Sequence, residues 1–345
     1  NFSPSFFLFL SILFLLLSLN TSCILFERLT VTDIYLLIAH HGYIPETHNI
    51  WTEDDYSVID SLEKSTESNL KSVSGYDVWL VNARGNKYSR KHKTYTPKDK
   101  KFWDFSWHEI GYYDIPAIID YVLEKTGHSE VSYIGYSQGT TTFFVMGSER
   151  PEYNAKVKVM ISLAPIAFIS NQRSPLLKFV VHFYNLVEVI KHDLSFALTN
   201  GVCNCWFNLI AGFGSNQLEK HMLPLIFGHF PAGASAKQVV HYSQSILSGS
   251  FRNFDYGLTQ NLKIYGSTQP PKYNLEKVKV PVAVFYGEND FLTHSLVSNL
   301  LLYKLPNVIE TKKIEYLKFN HIDFLWGRDA KTLVYNKVVA VLKRF

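Results

Sequence analysis

Cysteine is scarce in this chain, with three in 345 residues. Cys203 and Cys205 are separated by a single residue, in GVCNCWF. A disulfide at that spacing would be strained, so no covalent framework is expected to hold the fold. Ligand pairs at zinc-site spacing are missing as well. His40, His41 and His48 lie close together, but no second cluster accompanies them. They read as ordinary loop or core histidines, and neither a metal nor another cofactor is expected. Surplus charge of one sign is also lacking. The formal net charge of +4 is small for this length and excludes the strongly basic profile of a nucleic-acid binder. The longest apolar run is Phe6 to Leu19, FFLFLSILFLLLSL, fourteen residues without a charge. A membrane span needs about 20.

That run fits the apolar core of a secretory signal instead, with the small residues Thr21 and Ser22 near a cleavage point. Residues 1–23 are read as a signal peptide; a retained signal anchor is the alternative. Either leads into the secretory pathway. The only Asn-x-Ser/Thr sites, at Asn1 and Asn20, fall inside that region. The densest basic stretch runs from Arg84 to Lys101. It reads as a solvated loop or, more sharply, as a segment attracted to an anionic lipid surface.

Hydrophobic residues make up 47% of the chain, enough for a sizeable core. Short apolar runs alternate with longer amphipathic stretches from Tyr76 onward. YDVWLV (76 to 81), VSYIGY (131 to 136), VKVMISL (157 to 163), PVAVFYG (281 to 287) and KKIEYL (312 to 317) read as strands. Helices are expected from Trp107 to Lys125, from Gly139 to Met146 and from Ala330 to Leu342. This alternation predicts an α/β fold, a mostly parallel sheet covered by helices on both faces. The stretch from about Ile166 to Pro271 breaks the rhythm. It is rich in Phe and Leu and reads as an inserted helical cap.

Gly135-Tyr136-Ser137-Gln138-Gly139 fits G-x-S-x-G between a strand and a helix. Such a turn holds the serine in a strained conformation, with glycines where a Cβ would clash, and lifts its hydroxyl above the sheet. The helix that follows aims its N-terminal N–H groups at a developing oxyanion. A serine needs a base, and in this arrangement the acid precedes the histidine along the chain. Glu288 and Asp290 both follow the strand PVAVFYG. Beyond them lie only His294, in the same loop as Asp290, and His321, after one further strand. The expected order is Ser137, then Asp290 or Glu288, then His321. The plain alternative is an idle serine in a glycine-rich turn and a packed core histidine.

At these residues the chain resembles the acid lipase family, which includes gastric and lysosomal acid lipases and insect relatives. The similar stretches include GYDVWLVNARGN (75 to 86), FWDFSWHEIGYYDIPAIIDYVLEKTG (102 to 127), YIGYSQGTT (133 to 141) and FPAGASAKQVVHY (230 to 242). QPPKYNLEKVKVPVAVFYGENDFL (269 to 292) and NHIDFLWG (320 to 327) complete them. The resemblance implies an α/β-hydrolase domain over 24–345, with the cap at about 166–271 over the active site. It implies hydrolysis of neutral lipid esters, such as triacylglycerols or cholesteryl esters, at a lipid–water interface by a secreted or lysosomal enzyme. The family's acid matches Asp290, and the backbone N–H of Gln138 matches one oxyanion donor.

One family segment has no counterpart in its place. HGYIPETHNIWTEDDYSVID (41 to 60) resembles the family's N-terminal part, but SLEKSTESNLKSVS then leads directly to Gly75. In the family a central strand ending in a His-Gly turn stands between them and supplies the second oxyanion donor. Its absence predicts a gap or a re-pairing beside the strand that carries Ser137. His41-Gly42 is a substitute only if it leaves its own matching segment. A lipase-like protein that binds lipid without turning it over, or a truncated product, is therefore the alternative to a working esterase.

Overall fold

Buried strands in this chain read as unbroken apolar runs because helices cover both faces of the sheet. VSYIGY forms β3, Val131–Tyr136, buried along its whole length. VKVMISL forms β4, Val157–Leu163. The computed structural model describes residues 35–39, 76–86, 88–182, 211–223, 226, 233–293 and 295–345. The sheet also contains β1, Tyr35–Ala39, β2, Asp77–Val81, β5, Val282–Tyr286, and β6, Val308–Lys313. Its six strands run in the order β2-β1-β3-β4-β5-β6.

Alternation along β5 sends its side chains to two cores. Val282 and Val284 join Trp107, Ile110, Phe143 and Phe144 on one face. Ala283 and Phe285 join Ile161, Phe319, Phe324 and Val334 on the other. β3, β4, β5 and β6 are mutually parallel. β1 is antiparallel to both β2 and β3, so β2 runs with the parallel set. Of the two expected outcomes, a gap or a re-pairing beside β3, the structure shows re-pairing, by a short apolar run, YLLIA, that was not expected as a strand. It fills the ladder, but in the opposite direction from a strand that would carry an oxyanion turn to Ser137.

A capping box opens the helical stretch before β3. Ser106 Oγ accepts from His108 N (3.1 Å), and Glu109 Oε2 accepts from Ser106 N (2.6 Å). One helical turn, Trp107–Glu109, passes through a π-helical turn, Ile110–Asp114, into α1, Ile115–Thr126. Pro116 has no N–H to give the Tyr112 carbonyl, and Arg150 Nη1 donates to it instead (3.2 Å). α2, Gln138–Glu149, follows Ser137. Further helices are α3, Pro175–His182, α4, Ala236–Ser248, α5, Leu258–Tyr265, α6, Ser295–Lys304, and α7, Asn336–Leu342.

Within the stretch expected to form a cap, α4 packs directly on the hydrolase body. His241 stacks on Trp107 with ring centres 3.7 Å apart, and Ser235 Oγ donates to Phe105 O (2.5 Å). β6 starts and ends four residues earlier than KKIEYL. It is a half-exposed edge strand, VIETKK, whose polar residues conceal it. The signal segment, the cysteines, the three clustered histidines and the region from 41 to 60 lie outside the described residues, as does His294.

Candidate active site

The turn from β3 to α2 places Ser137 at φ 52°, ψ −118°. A residue with a side chain adopts that region only at a cost of about 1–3 kcal/mol, which its surroundings must offset. Here they do so with hydrogen bonds on both sides. Ser137 N donates to Leu163 O on β4 (3.0 Å). Ser137 O accepts from Thr140 N (3.0 Å) and Thr140 Oγ1 (2.6 Å). Thr140 Oγ1 in turn accepts from Ile166 N (2.8 Å), joining the turn to the end of β4. Gly135 allows the helix to fold back this closely, since a Cβ there would lie 2.8 Å from the Gly139 carbonyl.

His321 comes within reach of that hydroxyl, with Nε2 2.8 Å from Ser137 Oγ. Its other ring nitrogen, Nδ1, lies 2.7 Å from Asp290 Oδ2. An ionised carboxylate only accepts, so Nδ1 carries the proton and Nε2 accepts from the serine. All three side chains are buried. Glu288, the other acid that the sequence allowed, is partly exposed and faces Lys313 at 3.5 Å. The structure thus brings Asp290, not Glu288, to His321.

Asp290 is held from four directions. Its Oδ1 accepts from Leu292 N and Thr293 N, both at 2.9 Å, and Oδ2 also accepts from Thr293 Oγ1 (2.5 Å). These donors fix the orientation of the carboxylate. Tyr136 OH donates to the His321 carbonyl (2.8 Å), and its ring lies 5.0 Å from the imidazole. Burial raises the Tyr136 phenol well above its ordinary range, so it stays a donor.

A further segment joins the acid loop to the histidine loop. The Ala211 carbonyl accepts from Phe291 N (3.1 Å) and His321 N (3.4 Å). Gly212 follows at φ 129°, where a Cβ would stand 2.0 Å from Asn289 O. Asn320 Nδ2 donates to Gly212 O (3.1 Å). Neither Ala211 nor Thr293 carries a sequence signal: Ala211 acts through its backbone carbonyl on two distant loops, and Thr293 is one hydroxyl residue among many until the loop closes it on Asp290. Asp323 closes the histidine loop by accepting from Asn320 N (2.8 Å) and Ser215 Oγ (2.6 Å). Burial, with a smaller push from the Asp290 charge, raises Asp323 to about 6 against its two hydrogen bonds.

Gln138 opens α2, so its backbone N–H belongs to the helix end that adjoins Ser137. Its side chain donates to Gln238 Oε1 on α4 (2.6 Å), linking the turn to the inserted region. On the other side of Ser137 the sheet offers β1. Tyr35 is level with Gly135 and Ala39 with Val131. The strand therefore begins at the Ser137 edge of the sheet and ends at the far one. The same register puts Val81, the last residue of β2, level with Gly135.

Residues 35–328 match the family model described as alpha/beta hydrolase fold. Lipase 1 of Drosophila melanogaster is 38% identical over 344 residues, covering 89% of this chain and 78% of the relative. The chain belongs to the acid lipase family of α/β hydrolases. Human gastric triacylglycerol lipase is 34% identical, over 89% of this chain and 79% of its own. A putative epoxide hydrolase of Pseudomonas aeruginosa shares the fold at 14% identity, with a TM-score of 0.50 over 94% of this chain and 98% of that one.

Proposed function

We propose that the protein is a lipase that hydrolyses carboxylic esters of neutral lipids, triacylglycerols or cholesteryl esters, through Ser137, His321 and Asp290. The chain of hydrogen bonds from Asp290 through His321 to Ser137 carries this reading. Ser137 Oγ attacks the ester carbonyl carbon as His321 Nε2 takes its proton. The carbonyl oxygen becomes an oxyanion, and the Gln138 backbone N–H is its donor. The C–O bond to the alcohol breaks, and His321 returns the proton to the leaving oxygen. Water then attacks the acyl-serine by the same route, releasing the fatty acid. Asp290 holds the imidazole and balances its charge while it is protonated.

A second reading, a lipase-like protein that binds lipid without turning it over, is favoured by one observation. β1 runs antiparallel, so its carboxyl end, Ala39, lies level with Val131 rather than beside Ser137. Removing one oxyanion donor costs an esterase about 10²–10³-fold in kcat. Turnover is therefore expected to be slow rather than absent. The reading also includes entry into the secretory pathway through residues 1–23, a secreted or lysosomal location, and a cap formed within 166–271. The apolar run from Phe6 to Leu19 supports the first of these. Hydrolysis of a soluble short-chain ester, measured beside Ser137→Ala, tests the proposal. Turnover above background that vanishes in the variant supports it. Equal rates from both proteins would leave the lipid-binding reading.

A further inference from the structure

The basic stretch from Arg84 to Lys101 is divided by the fold into two kinds of cation. Arg84 Nε donates to both oxygens of Asp114, at 3.0 and 2.8 Å. Arg90 lies over the Trp103 ring at 5.5 Å and donates to Gly85 O (3.3 Å). These two arginines build the base of the loop. Lys91, Lys93, Lys98, Lys100 and Lys101 are all exposed. None of the five has a carboxylate partner among the described residues. The acids nearby are otherwise engaged. Asp99 accepts from Thr96 N (2.7 Å) and Thr96 Oγ1 (2.9 Å), and Asp104 pairs with Lys237 at 2.7 Å.

Sheet register places this loop relative to the nucleophile. Val81 and Gly135 are both level with Tyr35, with β1 between their strands. Two strand spacings come to about 10 Å. The chain leaving Val81 thus emerges at the same edge of the sheet as Ser137, one strand removed. It re-enters the body at Ser106 and Trp107, against which His241 of α4 packs. Three residues before His241, Gln238 holds Gln138 beside the nucleophile. Both ends of the lysine loop are therefore anchored around the catalytic edge.

We propose that the loop from Lys91 to Lys101 docks the enzyme on an anionic lipid–water interface, with the catalytic edge toward the lipid. The half-buried Tyr95 and Trp103 suit such a boundary, having an apolar body and a polar tip. A lysine near an anionic membrane surface contributes about fivefold in partitioning. The attraction is screened by salt within roughly 10 Å at 0.1 M. The proposal rests on the lipase reading for its purpose but not for its test, because binding is measured without turnover.

The experiment uses the full chain carrying Ser137→Ala, with and without Lys→Gln at the five positions. Sedimentation with phosphatidylcholine vesicles, alone or mixed with phosphatidylserine, reads the partition. Binding to the mixed vesicles is expected to fall on the order of 10²-fold or more in the Lys→Gln protein. Pure phosphatidylcholine should not distinguish the two, and Lys→Arg at the five positions should keep the binding. Equal binding of both proteins to the mixed vesicles would overturn the proposal. So would a lysine-dependent retention by soluble heparin or RNA with no preference for the anionic vesicles. Soluble-ester turnover by the Ser137-containing Lys→Gln protein reports separately on the catalytic reading and is expected to be unchanged.

Discussion

The two sides of Ser137 are built differently. On the acid–base side every group is held by its neighbours: four hydrogen bonds reach Asp290, the Ala211 carbonyl joins the acid and histidine loops, and Tyr136 holds the histidine backbone. On the other side the sheet is completed by β1, a strand that satisfies the backbone ladder but ends at the edge far from Ser137. A proton-transfer chain needs only side chains delivered by β3, β5 and the loop after β6. In the α/β-hydrolase arrangement the second oxyanion donor comes from the loop after a strand whose carboxyl end meets the elbow. Sheet pairing is indifferent to that direction, since parallel and antiparallel ladders both satisfy backbone groups.

The largest effect is expected for Ser137→Ala, which should lower kcat/KM by roughly 10⁴–10⁶-fold on any ester the protein cleaves. Asp290→Asn should cost about 10⁴-fold, because the amide presents an N–H where Nδ1 needs an acceptor. Steady-state rates on a soluble ester measure both. If Asp290→Asn retained near-normal turnover, the acid–base side would not be the working half.

The other half is probed by stability. Leu37→Pro, in the middle of β1, removes a ladder donor and should destabilise the protein by about 1–3 kcal/mol, the cost of the buried carbonyl left unpaired. Denaturant unfolding monitored by circular dichroism reads it. An unchanged midpoint would mean that β1 does not occupy the slot beside β3, and the contrast between the two sides would need redrawing.

A smaller effect concerns pH. Burial raises Asp323 to about 6. A carboxyl raised in the folded state binds its proton more tightly there than in the unfolded chain. Its contribution to stability is therefore complete below the ordinary Asp value of about 3.9 and is lost as pH rises through about 6. Wild-type stability should decline over that window more steeply than that of Asp323→Asn. Thermal unfolding across the window checks this, and parallel curves would refute the assignment.

Much of the acid–base half was readable in the sequence. The G-x-S-x-G turn between an apolar strand and a helix names Ser137, and chain order leaves His321. The choice between Glu288 and Asp290 was not readable from pattern alone. It depends on a loop closed by Thr293 and by the carbonyl of Ala211, far away in the chain. β3 and β4 were legible to the residue, because full burial leaves unbroken apolar runs. β6 was displaced, because a half-exposed edge strand carries Glu and Lys. β1 went unread because a five-residue apolar run says nothing of its partner or direction.

The most direct test of the account is fluorophosphonate labelling of the folded protein, with Ser137→Ala and Asp290→Asn beside it. The reagent reacts only with a serine whose proton can be withdrawn. The account predicts a single label on Ser137, absent in Ser137→Ala and much slower in Asp290→Asn. No label on a protein that unfolds cooperatively would contradict it, and would mean that a complete Ser-His-Asp chain does not by itself activate the serine.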